Sequence, residues 1–180
     1  MEKIIKQKSN FEISMKIPFL SLQKITESFE PALFQKINEV VKKGWYIHGE
    51  ECKVFEKNFA QFCGVKHCIG VGNGLEALKL ILRAYKLLGV FEEGDEIIVP
   101  SNTFIATILA VSAENLMPVF VEPDINDYLI DVEKIEGKIS SKTKAIMPVH
   151  LYGRLCNMKA ITAIAKHYNL KVIEDAAQAH

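Results

Sequence analysis

The chain has 180 residues, and its 22 lysines plus arginines balance 22 aspartates plus glutamates, so the formal net charge is zero. Hydrophobic residues make up 49% and charged residues 24%, a composition typical of a globular protein rather than a disordered or fibrous one. Zero net charge argues against a broad basic face for nucleic acid, and no apolar run reaches the ~20 residues of a membrane span. We therefore expect neither nucleic acid nor a membrane as a partner.

The N-terminal part of the chain is polar first and helical afterwards. Residues 1–20 show no clear apolar period, so we expect a loose arm there. The beginning lacks the apolar stretch and cleavage site of a signal peptide, which favours a cytoplasmic location. Apolar residues recur every three or four positions over 21–43, which predicts a helix interrupted at Pro31. A second helix is predicted over 50–63.

After residue 66, short apolar strands alternate with helices. The predicted strands cover 67–71, 95–99, 118–121, 144–149 and 170–173, and the predicted helices begin near residue 75 and cover 103–113, 131–139 and 157–168. Such alternation, with strands that are apolar throughout, is typical of a parallel sheet wrapped by helices. We predict an α/β fold in which residues 21–180 are the N-terminal part of a large domain, because a last strand needs a covering element after it.

The cysteines and histidines do not suggest a metal site. The four cysteines, Cys52, Cys63, Cys68 and Cys156, form no Cys-x-x-Cys pair, and three of the histidines, His48, His67 and His167, are isolated. We expect buried or incidental thiols and no bound metal.

The predicted carboxyl ends of the strands carry the most distinctive polar residues, and ligands bind at these ends in open α/β sheets. The turn Gly72-Asn73-Gly74 joins a strand to a helix, where free backbone N–H groups suit a phosphate. A simple tight turn explains the glycines equally well. No Gly-Lys-Ser/Thr follows, and no acid stands where a dinucleotide site requires one, so a phosphate here would belong to another cofactor.

Further candidates follow the other strands. Asp175 could keep a ring nitrogen protonated through a charge-assisted hydrogen bond, and Gln178 could donate to a ring oxygen. The alternative is that Asp175 caps a turn and Gln178 lies on the surface. Glu174 alternates with Asp175, so it should face the other way. Phe104 could stack on a flat ring or belong to the core.

Five segments, in this order, closely resemble the DegT/DnrJ/EryC1/StrS family of pyridoxal-phosphate sugar aminotransferases, which have the aspartate-aminotransferase (type I) fold. They are Gly44–Gly49 (GWYIHG), Gly70–Leu78 (GVGNGLEAL), Val99–Thr107 (VPSNTFIAT), Met147–Gly153 (MPVHLYG) and Ile173–His180 (IEDAAQAH). The resemblance covers about residues 18–180. The second and third segments look most like the branch that aminates the 3-keto carbon of dTDP-linked 6-deoxyhexoses.

The resemblance implies how the cofactor pyridoxal 5′-phosphate would be held. Backbone amides of Asn73, Gly74 and Leu75 would bind its phosphate, and Phe104 would stack on its ring. The family's Schiff-base lysine follows the last of the five segments, whereas no lysine of this sequence follows Lys171. We therefore expect the 180-residue chain alone to be inactive.

The resemblance also implies the chemistry and the partners. Asp175 would pair with the pyridinium nitrogen and Gln178 with the phenolic oxygen, so both count as catalytic residues. Glutamate would give its amino group to a nucleotide-linked keto-sugar, and the enzyme would be a homodimer. Candidate substrate contacts are Tyr46, His48, His150 and Tyr152, although the last two are equally explained as turn or core residues.

Three alternatives stay open at this point. Some relatives carry histidine in place of the lysine and act as sugar dehydratases. The chain could instead be a non-catalytic, regulatory relative that only binds cofactor or a partner. It could also be a nucleotide-binding α/β domain unrelated to pyridoxal phosphate.

Overall fold

A computed structural model of the chain describes residues 18–179. These residues form two compact units, one up to Cys68 and one from Ile69, and each is described by itself. The arm predicted over 1–20 lies outside the described residues except for positions 18–20. None of the described helices is long and apolar enough to cross a membrane.

The first unit is helical. It contains α1 (Leu22–Glu27), α2 (Ala32–Lys43) and α3 (Glu50–Phe62). The helix predicted over 21–43 is therefore two helices that divide next to Pro31, as the proline suggested. Ser21 caps α1 by accepting a hydrogen bond from the Lys24 N–H. Gly44 ends α2 with a φ of 66°, a left-handed conformation that glycine adopts without a steric penalty.

The second unit is an α/β sheet structure. Its elements are α4 (Gly74–Leu87), β1 (Glu96–Pro100), α5 (Ile105–Ala113), β2 (Met117–Val121), β3 (Thr143–Ile146), α6 (Met158–His167) and β4 (Lys171–Val172). The strands are all parallel and lie in the order β2-β1-β3-β4. The predicted α/β class and parallel sheet are confirmed.

The central strand β1 shows why helices cover both faces of the sheet. Ile97 and Val99 point to one face, where they pack with apolar residues of α4 and α5. Ile98 points to the other face and packs with Ile161 of α6. Successive side chains of a strand alternate between faces, so the continuous apolar run Ile97–Val99 requires cover on both.

Two predicted elements are wrong. The structure assigns no strand to residues 67–71, where Ile69 and Val71 are 78% and 40% exposed. A strand forms where a neighbouring strand completes its hydrogen bonds, and an apolar run alone does not supply that neighbour. The helix predicted over 131–139 is instead two 3₁₀ turns, Val132–Lys134 and Glu136–Lys138, a tighter form common in short connectors.

Candidate active site

A cavity of about 330 Å³ lies where the strands of the second unit end. This volume is within the ~300–1,000 Å³ range of small-molecule sites. The lining residues come from the turns after β1, β3 and β4 and from the start of α4, and they include all six predicted cofactor-binding residues: Asn73, Gly74, Leu75, Phe104, Asp175 and Gln178. The structure thus brings together side chains that are up to about a hundred positions apart in the sequence.

The start of α4 gives the cavity a wall of hydrogen-bond donors. Asn73 caps the helix, and its Oδ1 accepts a hydrogen bond from the Glu76 N–H at 3.0 Å. The N–H groups of Gly74 and Leu75 precede any possible intrahelical acceptor, and the helix dipole favours an anion beside them. The Glu76 carboxylate is paired with Lys79 at 2.9 Å, which offsets its negative charge near this wall.

Gly74 also keeps the cavity open. A Cβ atom added at this position would lie 3.4 Å from the Cβ of Ala177, and both residues line the cavity. A side chain at position 74 would therefore occupy part of the cavity beside Ala177. Glycine at this position leaves that part of the cavity open.

Asp175 supplies a buried negative charge to the same cavity. Its backbone N–H donates to the Pro148 carbonyl at 2.9 Å, and its own carbonyl accepts from the His150 N–H at 3.1 Å. These bonds extend the pairing of the β3 and β4 segments beyond the strands, with Val149 opposite Asp175. The carboxylate is 8% exposed and faces the cavity, so it can bind a cationic ring nitrogen away from bulk water.

Two bonds fix the Asp175 carboxylate. Oδ2 accepts a hydrogen bond from Thr107 Oγ1 at 2.7 Å, and Oδ1 accepts one from the Ala177 N–H at 3.2 Å. The sequence reasoning missed Thr107. A signal existed, because Thr107 is a polar residue within the apolar segment 104–113, but only the fold shows that it meets Asp175.

Gln178 is oriented by the backbone of Tyr152. Its Oε1 accepts a hydrogen bond from the Tyr152 N–H at 2.6 Å. A backbone N–H can only donate, so the oxygen is assigned and the Nε2 amide group is left to donate to a ligand. The Tyr152 backbone has a φ of 57°, and its side chain is 85% exposed. Tyr152 thus contributes to the site through its backbone N–H group.

Phe104 lies directly before α5 and lines the cavity with a ring that is 68% exposed. The alternative that it belongs to the core is therefore wrong. An aromatic face open to a cavity is suited to stacking on a planar ligand.

His150 is buried, in agreement with the alternative that it is a core residue. Its ring is buried, Nδ1 accepts from the Cys156 N–H at 3.2 Å, and Nε2 lies 2.9 Å from a Glu174 carboxylate oxygen. Since Nδ1 is an acceptor, the neutral ring donates from Nε2 to Glu174. The prediction that Glu174 faces away from Asp175 is confirmed.

The other two candidate substrate contacts, Tyr46 and His48, lie between α2 and α3 in the first unit, and both are exposed. The Tyr46 hydroxyl donates to the Val41 carbonyl at 3.4 Å. Contact of these residues, of His150 or of Tyr152 with a substrate stays a prediction. Among residues 18–179, no group of three or more His, Cys, Asp or Glu side chains is placed to hold a metal ion.

A parallel sheet with a helix N-terminus, an aromatic ring and a buried carboxylate around one cavity is consistent with the type I fold of pyridoxal-phosphate-dependent aminotransferases, and solved structures similar to this chain have that fold. The sequence model of the DegT/DnrJ/EryC1/StrS aminotransferase family matches residues 28–180. The chain belongs to this family. The interpretation as an unrelated nucleotide-binding domain is therefore wrong.

Three similar proteins illustrate the range of the family. The chain is 60% identical over 164 residues to the dTDP-3-amino-3,6-dideoxy-alpha-D-galactopyranose transaminase of Aneurinibacillus thermoaerophilus, covering 91% of this chain and 44% of that protein. It is similar to the crystal structure of DesV from S. venezuelae in complex with a ketimine intermediate, with a TM-score of 0.85, 41% identity, and coverage of 91% and 43%. It is also similar to the E. coli GDP-4-keto-6-deoxy-D-mannose-3-dehydratase with bound hydrated PLP, with a TM-score of 0.74, 30% identity, and coverage of 78% and 37%.

The chain thus spans less than half the length of the relatives it matches. The family and the fold are established for the segment that the sequence covers.

Proposed function

We propose that the protein is a pyridoxal-phosphate-dependent aminotransferase that moves the amino group of glutamate to a nucleotide-linked keto-sugar, specifically a dTDP-linked 3-keto-6-deoxyhexose. The observation that carries this proposal is the buried Asp175 carboxylate in the same cavity as the first N–H groups of α4, those of Gly74 and Leu75. A cation-binding group and an anion-binding group in one cavity match a ligand that carries a protonatable ring nitrogen and a phosphate.

The donor and acceptor set fits pyridoxal phosphate. The N–H groups of Asn73, Gly74 and Leu75 would hold the phosphate, and all three residues line the cavity. Phe104 would cover one face of the ring, and Asp175 would accept a hydrogen bond from its nitrogen. Gln178 would donate from Nε2 to the phenolic oxygen, because its Oε1 is already bonded.

Each residue then has a definite task. When bound, pyridoxal phosphate supplies an electron-withdrawing ring that carries the amino group between the two substrates. Asp175 keeps the proton on the ring nitrogen, which makes the ring a better acceptor of electrons. Phe104 excludes water from the ring face that it covers. The start of α4 anchors the phosphate so that the ring keeps one orientation during both half-reactions.

The sugar substrate is proposed from the similarity to the Aneurinibacillus transaminase, whose name specifies a 3-amino-3,6-dideoxygalactose linked to dTDP. Glutamate as the amino donor, a homodimeric assembly and a cytoplasmic location belong to the same proposal. A sugar dehydratase is the second candidate, and it is supported by the likeness to the E. coli 3-dehydratase. The higher identity to the transaminase favours amino transfer.

The test is to incubate the full-length gene product with pyridoxal phosphate, glutamate and a dTDP-linked 3-keto-6-deoxyhexose, and to analyse the sugar by mass spectrometry. Amino transfer replaces the carbonyl oxygen by an amino group and produces 2-oxoglutarate. Loss of a hydroxyl group from the sugar with no amino group gained, and with ammonia released as glutamate is oxidised to 2-oxoglutarate, would favour the dehydratase. An unchanged sugar, with this substrate and with its 4-keto isomer, would refute both.

A further inference from the structure

A short chain of hydroxyl groups connects the start of α5 with the carboxylate of the site. The Thr103 and Thr107 hydroxyl oxygens lie 2.8 Å apart, and Thr107 Oγ1 lies 2.7 Å from Asp175 Oδ2. Thr107 is 0% exposed and Thr103 is half-buried. A fully buried hydroxyl is retained at low cost only if its hydrogen-bonding capacity is used, and here it is used by one bond to Asp175 and one to Thr103.

The chemistry of the acceptor fixes the direction of these bonds. An ionised carboxylate only accepts hydrogen bonds, so the single proton of the Thr107 hydroxyl is directed to Asp175. Thr107 must then use a lone pair toward Thr103, and Thr103 becomes the donor of the second bond. The two hydroxyl groups therefore form a one-way chain, from Thr103 to Thr107 to Asp175.

The Thr107 hydroxyl, supported by that of Thr103, binds one oxygen of the Asp175 carboxylate and so restricts the rotation of the carboxyl group. Oδ2 is bound by Thr107, and Oδ1 is bound more loosely by the Ala177 N–H at 3.2 Å. The shorter bond comes from a side chain on a helix whose neighbours Ala110 and Val111 are themselves buried in the core. The orientation of the carboxyl plane is thus set by α5. The Asp175 backbone is held in place separately, by its hydrogen bonds to Pro148 and His150.

We propose that Thr107, supported by Thr103, is a positioning residue that aligns the Asp175 carboxylate with the ring nitrogen of the cofactor. This inference rests on the proposed function. Loss of the Thr107 hydroxyl leaves the carboxyl group free to rotate and weakens its bond to the ring nitrogen. The phosphate contacts at α4 and the stacking by Phe104 stay intact, because neither depends on Thr107.

The test compares two ligands that differ only at the ring nitrogen. They are pyridoxal phosphate and its carbocyclic analogue, in which a C–H replaces that nitrogen. Dissociation constants are measured by absorbance titration of the full-length gene product and of its Thr107→Val, Thr107→Ser and Thr103→Val variants. Thr162→Val is the matched control, because Thr162 is an exposed helix residue whose hydroxyl bonds to its own helix at the Met158 carbonyl.

We expect Thr107→Val to weaken pyridoxal phosphate binding about tenfold, which is typical of losing a hydrogen bond to a charged group, and to change binding of the analogue less than twofold. Thr107→Ser restores most of the affinity because it keeps the hydroxyl. Thr103→Val weakens pyridoxal phosphate binding about threefold. This variant tests the role of the two hydroxyl groups even if Thr107→Val does not fold. Thr162→Val matches the unmodified protein.

Equal weakening of both ligands would overturn the inference, because Thr107 would then act only through packing. Unchanged binding of pyridoxal phosphate in the Thr107→Val and Thr103→Val variants would overturn it as well. If the unmodified protein binds neither ligand, the cofactor proposal fails first and this inference falls with it. That result is distinct from a normal titration that the variants do not alter.

Discussion

Asp175 and Glu174 are adjacent carboxylates with opposite surroundings. Asp175 is buried against the cavity and receives bonds from Thr107 and Ala177. Glu174 is half-exposed on the other side and accepts from the buried ring of His150. The alternation of side chains in extended backbone accounts for the difference. This part of the site could be predicted from the sequence, because it depends only on the order of two residues.

Substitution of Asp175 and of Glu174 in turn shows whether a loss of activity comes from a role at the cofactor or from the loss of a negative charge in general. We expect Asp175→Asn to lower the rate of amino transfer from glutamate at least 100-fold, because a neutral amide does not hold the proton on the ring nitrogen. Rapid-mixing absorbance measurements with glutamate give this rate. Glu174→Gln is the control and should stay within about threefold of the unmodified protein, since its amide oxygen can still accept from His150. Similar rates for both variants would contradict the role assigned to Asp175.

Cys156 gives the unit a predictable dependence on pH. Burial raises the pKa of its thiol, whose Sγ donates to the Val149 carbonyl at 3.2 Å. The unfolded thiol loses its proton near pH ~8.5, whereas the folded thiol keeps it, so the folded state binds more protons above that pH. Its contribution to stability is therefore complete below pH ~8.5 and declines as the pH rises further.

The corresponding experiment compares the unmodified protein with Cys156→Ala. Urea unfolding at pH 7.5, 8.5 and 9.5 gives the free energy of unfolding of each. We expect the advantage of the unmodified protein over the variant to shrink between pH 8.5 and 9.5. A constant difference over this range would show that the thiol titrates alike in the folded and unfolded states.

Among the helices, α4 and α6 begin with the same capping chemistry but differ in what they face. Asn73 caps α4 by accepting from the Glu76 N–H, and Asn157 caps α6 by accepting from the Ala160 N–H at 3.2 Å. Of these two termini, that of α4 lies at the cavity and that of α6 does not. A comparison of the two caps therefore distinguishes the effect of an N-cap on helix stability from its effect on anion binding.

We expect Asn73→Ala and Asn157→Ala each to lower the free energy of unfolding by about 1 kcal/mol, the usual effect of losing an N-cap. Cofactor affinity should fall severalfold in Asn73→Ala alone, because the start of α4 then holds its N–H groups less rigidly. Chemical denaturation and cofactor titration measure the two effects. Equal cofactor affinity in the two variants would contradict the assignment of the phosphate to α4.

The elements that were predicted incorrectly are those that depend on partners outside their own segment. Residues 67–71 have a strand's apolar pattern, but the sheet of the described residues ends at β2 and β4. The sequence predicts α4 and α6 because their apolar period and the capping residues Asn73 and Asn157 lie within or directly before the segment itself. Thr107 could not be assigned from sequence, since its partner lies 68 positions away.

At the scale of the whole molecule, parallel topology is what assembles the site. Every strand of the described sheet ends at the same edge, so the turns that follow β1, β3 and β4 meet the start of α4 there. Alternation of strands and helices predicted this convergence. It did not predict that the described residues divide into two compact units, because a division of that kind depends on how densely segments contact each other.

The core beneath α4 should control the stability of this assembly. Leu82 is fully buried in the cluster that joins α4 to the sheet, whereas Leu87, near the end of the same helix, is exposed. We expect Leu82→Ala to lower the free energy of unfolding by about 2–5 kcal/mol and Leu87→Ala to change it by less than about 0.5 kcal/mol. Thermal and urea unfolding check both values, and comparable losses would contradict the packing described for α4.

The role of glutamate as amino donor is tested by the absorption spectrum of the full-length gene product loaded with pyridoxal phosphate, recorded before and after addition of glutamate. The proposed function predicts that the band of the bound pyridoxal form disappears and the band of pyridoxamine phosphate replaces it, with one 2-oxoglutarate formed per site. A bound cofactor that glutamate does not convert, or a protein that binds no cofactor, would contradict the assignment as a glutamate-dependent aminotransferase.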